Sequence, residues 1–320
     1  MDVALIGFGV VGREVARLLC GAGLPFRVVG ITTARHGAVV DRGGVDLEAA
    51  LEVQTLGPPT EGIETFLEAS RPDVVVELTP LDPYAGEPAI GHIRAALERG
   101  RHVVTANKGP LAFAYHELAQ LARERGRRLL FESTVMDGAP VFNLVRHCLP
   151  GARVAGFTGV LNSTTTVIIE AMEHGGTFEE GIEQARRMGI TEANASYDTD
   201  GWDAAVKTAA LANVLLDARV TPLEVDRRGI GRLTPERLRE LNASAKTVRL
   251  IARGARSGKL RVRAEVLART DPLASAHGTT NLLLLHTDLM GTIGAFEIAP
   301  TPAQTAYGVL ADLLEIASRP

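Results

Sequence analysis

The feature that most limits what this chain can fold into is its opening, VALIGFGVVGREVARLLCGAG, residues 3–23. A short apolar run enters a G-x-G-x-x-G turn, and helical spacing follows at once. Strand, glycine turn and helix in that order begin a parallel sheet wound with helices, the context in which such glycines bind a dinucleotide. Gly7 permits the tight turn, Gly9 lets the backbone approach a pyrophosphate, and Gly12 lets the helix lie close on the strand. The helix N-terminus offers its free N–H groups to the phosphates. Outside that context the same letters would be a glycine-rich turn with no ligand.

The pattern continues. RVVGITT (27–33), VVVEL (74–78), HVVTA (102–106) and RLLFES (128–133) read as strands. Helical stretches over 86–99 and within NKGPLAFAYHELAQLARERG (107–126) alternate with them. This alternation predicts a Rossmann-type doubly wound parallel sheet. A chain that selects NAD usually places an acid at the end of its second strand. Here the residues are Thr32, Thr33, Ala34, Arg35 and His36. Arg35 favours the 2′-phosphate of NADP over NAD, through charge-assisted hydrogen bonds. TANKGPLA (105–112) puts Asn107 and Lys108 at the carboxyl end of a strand, where open sheets bind ligands. A cation near a helix start is slightly unfavourable, which points Lys108 toward a ligand rather than plain solvent.

From about residue 135 the pattern changes. VAGFTGVL (154–161), KTVRLIARG (246–254), LRVRAEVLA (260–268), NLLLLHTD (281–288) and GTIGAFEIA (291–299) predict a mostly antiparallel sheet. Helices are expected over 164–176, over 177–189 with a Thr177–Glu180 capping box, over 202–218, and at the end over 301–317. The expected organisation is an α/β domain over 1–134, rejoined by the C-terminal helix 301–320, and an α+β domain over 135–300.

Composition excludes several classes. The net charge is −4 with no block of like charges, which argues against nucleic acid or an anionic membrane as partner. The N-terminus lacks the basic region of a signal peptide, and no run reaches the ~20 apolar residues of a membrane span. Cys20 and Cys148 lie far apart with no C-x-x-C spacing, which suits a reducing cytoplasm and no Cys-based metal site. The eight His show no ligand spacing, and RERGRR (123–128) reads as the solvated end of a helix.

The second informative stretch is DTDGWDAAVKT, residues 198–208. Of 34 basic residues only four are Lys, yet Lys207 stands one helical turn after Asp203. Asp200 would be an N-cap with Asp203 at the third helical position, and Asp203–Lys207 an i, i+4 pair worth ~0.3–0.5 kcal/mol. That leaves Asp198 and the upstream Glu192 unexplained. Acids gathered beside one Lys suit a substrate bearing an ammonium group. They also leave a cation that can give up a proton, which a guanidinium cannot.

Together with ESTVMDGAP (132–140), GVLNSTTTVIIEAM (159–172), FEEGIEQARRMGITEANASYDTDGWDAAVKTAALA (178–212) and PTPAQTAYGVLADL (300–313), these motifs resemble homoserine dehydrogenases in family order over most of the chain. The resemblance implies NAD(P)-dependent interconversion of L-homoserine and L-aspartate 4-semialdehyde, in the threonine and methionine branch of aspartate-derived biosynthesis. It implies a cytoplasmic homodimer whose second domain is catalytic, in a short form without a regulatory domain. It makes Lys207 and Lys108 the catalytic lysines, with Lys207 as proton donor and the reverse assignment open. Substrate falls to Glu192, Asp198, Asp203, Thr164 and Ser163. Cofactor falls to Gly7, Gly9, Val10, Val11, Gly12, Arg35, Thr79, Asn107 and Lys108. A monovalent cation, Na+ or K+, would sit on the main-chain carbonyls of Glu132, Val135, Asp137 and Ala139. The chain departs from the family at NSTTT (162–166), TEANA (191–195), the MDG of 136–138 and the EIAPTP of 297–302. Two rivals stand beside this reading: an oxidoreductase for another amino-acid semialdehyde, and a non-catalytic NADP-binding protein. Retention of both Lys and all three acids argues against the second, because a buried acid cluster without a ligand is costly.

Overall fold

The computed structural model describes residues 1–21, 23–191 and 194–318. The chain forms two compact units, residues 1–143 with 301–320, and residues 144–300. Residues 135–143, assigned to the second domain from the sequence, therefore pack within the first unit.

In chain order the first unit holds β1 (Asp2–Ile6), α1 (Val10–Gly21), β2 (Arg27–Thr32), β3 (Ala38–Val40), α2 (Leu47–Glu52), α3 (Ile63–Ser70), β4 (Val74–Glu77) and α4 (Ala89–Glu98). β5 (His102–Thr105), α5 (Gly109–Phe113), α6 (Tyr115–Glu124), β6 (Leu129–Leu130) and α7 (Val141–Asn143) complete it. The sheet order is β3-β2-β1-β4-β5-β6, parallel except for the edge strand β3. β4 is buried along its whole length, which is why VVVE reads as an unbroken apolar run rather than an alternation. The short β3 gave no sequence signal. The helix expected across 107–126 breaks at Ala114, whose φ of −138° is not helical.

The second unit holds β7 (Val154–Val160), α8 (Ser163–Glu173), α9 (Phe178–Arg187), α10 (Ser196–Thr199), α11 (Trp202–Leu215), β8 (Asp226–Arg227), α12 (Pro235–Ala243), β9 (Lys246–Ala255), β10 (Leu260–Ala268), β11 (Asn281–Thr287) and β12 (Thr292–Glu297). Its sheet order is β12-β11-β7-β9-β10-β8, antiparallel except where β8 joins β10. The Thr177–Glu180 capping box is present at the start of α9. α11 is buried on nearly every face, so its small Ala side chains are the condition for seating it.

The final helix, α13 (Pro302–Ser318), returns to the first unit. Ala306, Val309, Leu313 and Ile316 join Val3, Leu5, Val15 and Val104 in one core. Each of the larger side chains so buried contributes roughly 1.5–3 kcal/mol. Arg128, expected to be solvated, instead reaches Glu315 on this helix, at 2.8 Å to both its carbonyl and its Oε1. That contact lies far away in sequence and leaves no local trace.

Candidate active site

In the first unit the sequence-predicted cofactor residues gather at the carboxyl end of the parallel sheet. The strand order reverses between β1 and β4, which makes that point the switch crevice of an open sheet. Gly7, at φ +104°, donates to Thr32 O at 2.8 Å, and an added Cβ would stand 2.6 Å from Leu78 O. A Cβ on Gly12 would stand 2.6 Å from Gly7 O, so α1 lies tight on the turn. A Cβ on Gly9 would meet nothing within 4 Å. Two glycines are thus demanded by the protein itself. The middle one keeps space open in front of the first turn of α1, where Val10 is 67% exposed and Val11 part-buried. This is the cradle a pyrophosphate requires.

Around it, Thr79 follows β4 and Asn107 follows β5. The Asn107 Nδ2 donates to Thr79 O at 3.0 Å, and its Oδ1 accepts from Gly109 N at 2.9 Å. The fully buried Glu77 accepts from Thr79 N at 3.1 Å, from the Thr79 hydroxyl, and from Thr105 Oγ1 at 3.2 Å. Lys108 is part-buried at the start of α5. Arg35 is exposed on a loop closed by Thr33 N to Gly37 O at 3.0 Å, and has no ion pair among the described residues.

The proposed cation carbonyls belong to a curled segment. Glu132 is buried and accepts from Phe142 N and Asn143 N at 2.8 and 2.7 Å, Val135 is 2% exposed, and Asp137 has φ +41°. Ala139 O accepts from Val141 N at 2.8 Å, which occupies one of its two lone pairs. Among the described residues no group of three or more His, Cys, Asp or Glu could hold a metal ion.

In the second unit Asp198, Asp203 and Lys207 come together. The expected N-cap at Asp200 is not there. Asp200 closes α10 with αR angles, whereas an N-cap needs extended ones. Gly201, at φ +79°, makes the turn into α11. Asp203 therefore sits one place nearer the helix start than expected, and its carboxylate serves other partners. Its Oδ2 accepts from Asn162 Nδ2 at 3.0 Å and lies 3.4 Å from Lys207 Nζ. Lys207, with 14% of its side chain exposed, donates to Leu161 O at 2.6 Å. Asp198 accepts from Asn162 Nδ2 at 2.7 Å and from Thr191 Oγ1 at 3.0 Å.

Burial, and then the charge of Asp203, push the Asp198 carboxyl above its ordinary value of 3.8, while hydrogen bonds from Asn162, Thr191 and Thr164 pull it back. The Thr164 hydroxyl reaches both Ile190 O, at 3.0 Å, and Asp198, so its one hydrogen serves one of them at a time. Ser163 turns its hydroxyl to Thr279 O at 2.9 Å. Glu192 lies outside the described residues. Sequence reasoning missed Asn162, the Leu161 carbonyl and Thr191. The signal for Asn162 was present, an Asn just ahead of a helical apolar run, and it reads as a cap before it reads as anything else.

A nucleotide cradle in one unit and a Lys held among acids in the other are the two things a nicotinamide-dependent dehydrogenase needs: a seat for the hydride carrier, and charge control at the substrate oxygen. Residues 7–132 match the family model for the NAD-binding domain of homoserine dehydrogenase, and residues 140–314 match that for homoserine dehydrogenase itself. The chain belongs to the homoserine dehydrogenase family, NAD(P)-dependent oxidoreductases acting on a small-molecule substrate. It is 34% identical to the NAD(+)-dependent homoserine dehydrogenase of Pseudomonas canavaninivorans, over 98% of this chain and 95% of that one. The crystal structure of a putative homoserine dehydrogenase from Archaeoglobus fulgidus superposes with a TM-score of 0.89 at 32% identity, covering 99% of each chain. A hyperthermophilic archaeal homoserine dehydrogenase in complex with NADPH gives 0.85 at 29% identity, over 100% of this chain and 98% of that one. Among the described residues no helix is long and apolar enough to cross a membrane.

Proposed function

We propose that this protein interconverts L-aspartate 4-semialdehyde and L-homoserine, with Lys207 moving the proton and NADP(H) as the preferred cofactor. The observation that carries the assignment of Lys207 is its ammonium, held at 2.6 Å by Leu161 O and 3.4 Å from Asp203 in a largely buried setting. When bound, the nicotinamide supplies or accepts the hydride at the substrate carbonyl carbon.

In the reducing direction the Lys207 ammonium stabilises the charge growing on the carbonyl oxygen and gives it a proton, then regains one from solvent. In the oxidising direction it takes the hydroxyl proton. Asp198 and Asp203, with Glu192, hold the substrate ammonium, and Asp203 also fixes the Lys. Ser163 spends its hydrogen on a backbone carbonyl, so toward substrate it acts as an acceptor, while Thr164 shares its hydrogen between Ile190 O and Asp198. Lys108 assists at the oxygen. Gly7, Gly9, Val10, Val11, Gly12, Thr79 and Asn107 seat the cofactor, and Arg35 supports the choice of NADP by placing an exposed guanidinium, without an ion pair among the described residues, beyond β2. Na+ or K+ on the carbonyls of Glu132, Val135, Asp137 and Ala139 is part of the same reading, supported by the curl of that segment. So are the homodimer and a cytoplasmic setting, the latter supported by two exposed free thiols.

The test is a steady-state assay of nicotinamide absorbance with L-homoserine, using NADP and NAD, with K+, Na+ or neither. Lys207→Ala is expected to lose 10²–10⁴-fold in kcat while binding NADPH as the parent does. A variant that keeps kcat transfers the proton role to Lys108. No turnover by the parent with either cofactor, while longer amino alcohols are oxidised, would favour the rival semialdehyde substrate.

A further inference from the structure

The strand end that supplies the acceptor for Lys207 also carries an amide with three partners. Asn162 is 4% exposed. Its Oδ1 accepts from Thr165 N at 2.9 Å and caps α8. Its Nδ2 gives hydrogens to Asp198 Oδ1 at 2.7 Å and to Asp203 Oδ2 at 3.0 Å. The cap decides the orientation of the amide. With the oxygen committed to the Thr165 N–H, the NH₂ must face the acids. Two carboxylates from separate segments thus meet on one nitrogen. Like charges that close disfavour each other's ionisation, and a shared donor to the charged forms offsets this.

Asp203 Oδ2 lies between the Asn162 amide and the Lys207 ammonium, while Leu161 O holds the same ammonium from the neighbouring residue. Residues 161 and 162 therefore set both the acid pair and the Lys. Among the described residues the titratable neighbours of Asp198 are Asp203 and, through it, Lys207, both on α11, and Tyr197 next to it in the chain on α10. α8 contributes only the hydroxyl of Thr164, and the segment before α10 that of Thr191.

Resting on the reading of Asp198 and Asp203 as the grip on a substrate ammonium, we infer that Asn162 is a positioning residue whose amide holds both carboxylates at fixed separation and, through Asp203, aims Lys207. Its amide is engaged by the cap and the two carboxylates, so it acts on substrate through them. Its effect is on the acids, so it is read in how the enzyme depends on pH.

Asn162→Ser keeps a good cap acceptor but offers at most one hydrogen where the amide gives two. Asn162→Asp keeps the cap and the size, and sets a third carboxylate against the pair. Both are measured against the parent for thermal midpoint, NADPH binding, and the pH profiles of kcat and kcat/KM for homoserine oxidation. For Asn162→Ser the expected result is a melt within a few degrees of the parent and unchanged NADPH binding. Its acid limb should move up by about one pH unit and KM for homoserine rise about tenfold, with a smaller change in kcat. Asn162→Asp should move the limb further and lose about 100-fold or more in kcat/KM.

A folded Asn162→Ser with the parent's acid limb and KM overturns the inference. If that variant does not fold, the decision passes to the acid limb of Asn162→Asp. If neither folds, the residue is structural and the inference fails. A parent that does not oxidise homoserine defeats the underlying functional reading, whereas an active parent with unmoved variants defeats this inference alone.

Discussion

Two strand ends in this molecule carry the proposed binding groups and are built by opposite means. β1 runs through Gly7–Gly9 into α1, and β7 runs through Leu161–Asn162 into α8. At the first, the proposed cradle is made by missing side chains. Gly7 and Gly12 have backbone oxygens 2.6 Å from where a Cβ would be, and Gly9 has open space. At the second, the proposed site is made by side chains that hold one another: a Lys, two acids and an amide, all within hydrogen-bonding or ion-pair reach. The first is set by hard contacts, so its tolerance is steric and independent of pH. The second is set by charge in a buried place, so its tolerance is electrostatic and follows proton concentration.

The largest expected effects separate fold from function inside the glycine turn. Gly7→Ala must accept φ +104° and a backbone oxygen at 2.6 Å, and should lose about 2–4 kcal/mol of stability. Gly9→Ala meets nothing, and should melt within about 0.5 kcal/mol of the parent while NADPH binding weakens tenfold or more. Thermal melts and NADPH titrations on the same two preparations decide it. Equal melting of both variants, or full NADPH affinity in Gly9→Ala, would break the contrast between a glycine the fold needs and one the ligand needs.

The two ends also differ in how far the sequence alone reveals them. The glycine turn was legible because a strand, a spaced set of glycines and a helix are adjacent in the chain, and each glycine has a local steric reason. The switch point followed from the alternation of strands and helices. The acid–Lys pair was legible because Asp203 and Lys207 are one helical turn apart. What tied Asp198 to them was not, since the link runs through Asn162, a residue from another element. Asp200 was misread as a cap for a related reason. Its neighbours SYDT form a one-turn helix too short to have a periodicity, and that helix fixes Asp200 in the wrong conformation for capping. Arg128, read as solvated, found Glu315 only because α13 folds back.

A smaller effect tests whether the first end is purely steric. Arg35, beyond β2, is a charged candidate for the same cofactor, and it is exposed. A charge-assisted contact to a 2′-phosphate is worth about 1.5–3 kcal/mol, so Arg35→Ala should raise KM for NADP by roughly tenfold or more and leave KM for NAD nearly unchanged. Equal loss with both cofactors would place Arg35 at a part of the dinucleotide common to them. No loss with either would leave cofactor choice to other residues, and the first end to geometry alone.

The smallest effect reads the second end as stability. Burial and Asp203 raise the Asp198 carboxyl above 3.8 in the folded protein, so over the window between 3.8 and the raised value the folded state holds a proton that the unfolded state has shed. The unfolded state then binds fewer protons, and this residue's contribution to stability falls as pH rises through the window, reaching its full cost above it. Asp198→Asn removes the titration while an amide oxygen can still accept from Asn162. The stability difference, variant minus parent, should therefore be more favourable at pH 7 than at pH 4, measured by urea unfolding at several pH values so that acids common to both proteins cancel. The same substitution should weaken homoserine binding, because a neutral amide attracts an ammonium less. A difference that stays flat with pH would mean that Asp198 is charged at no cost, and that the second end resembles the first more than its charges suggest. A stability gain that grows with pH alongside a rising KM would mean the fold bears the cost of keeping that carboxylate where a substrate needs it.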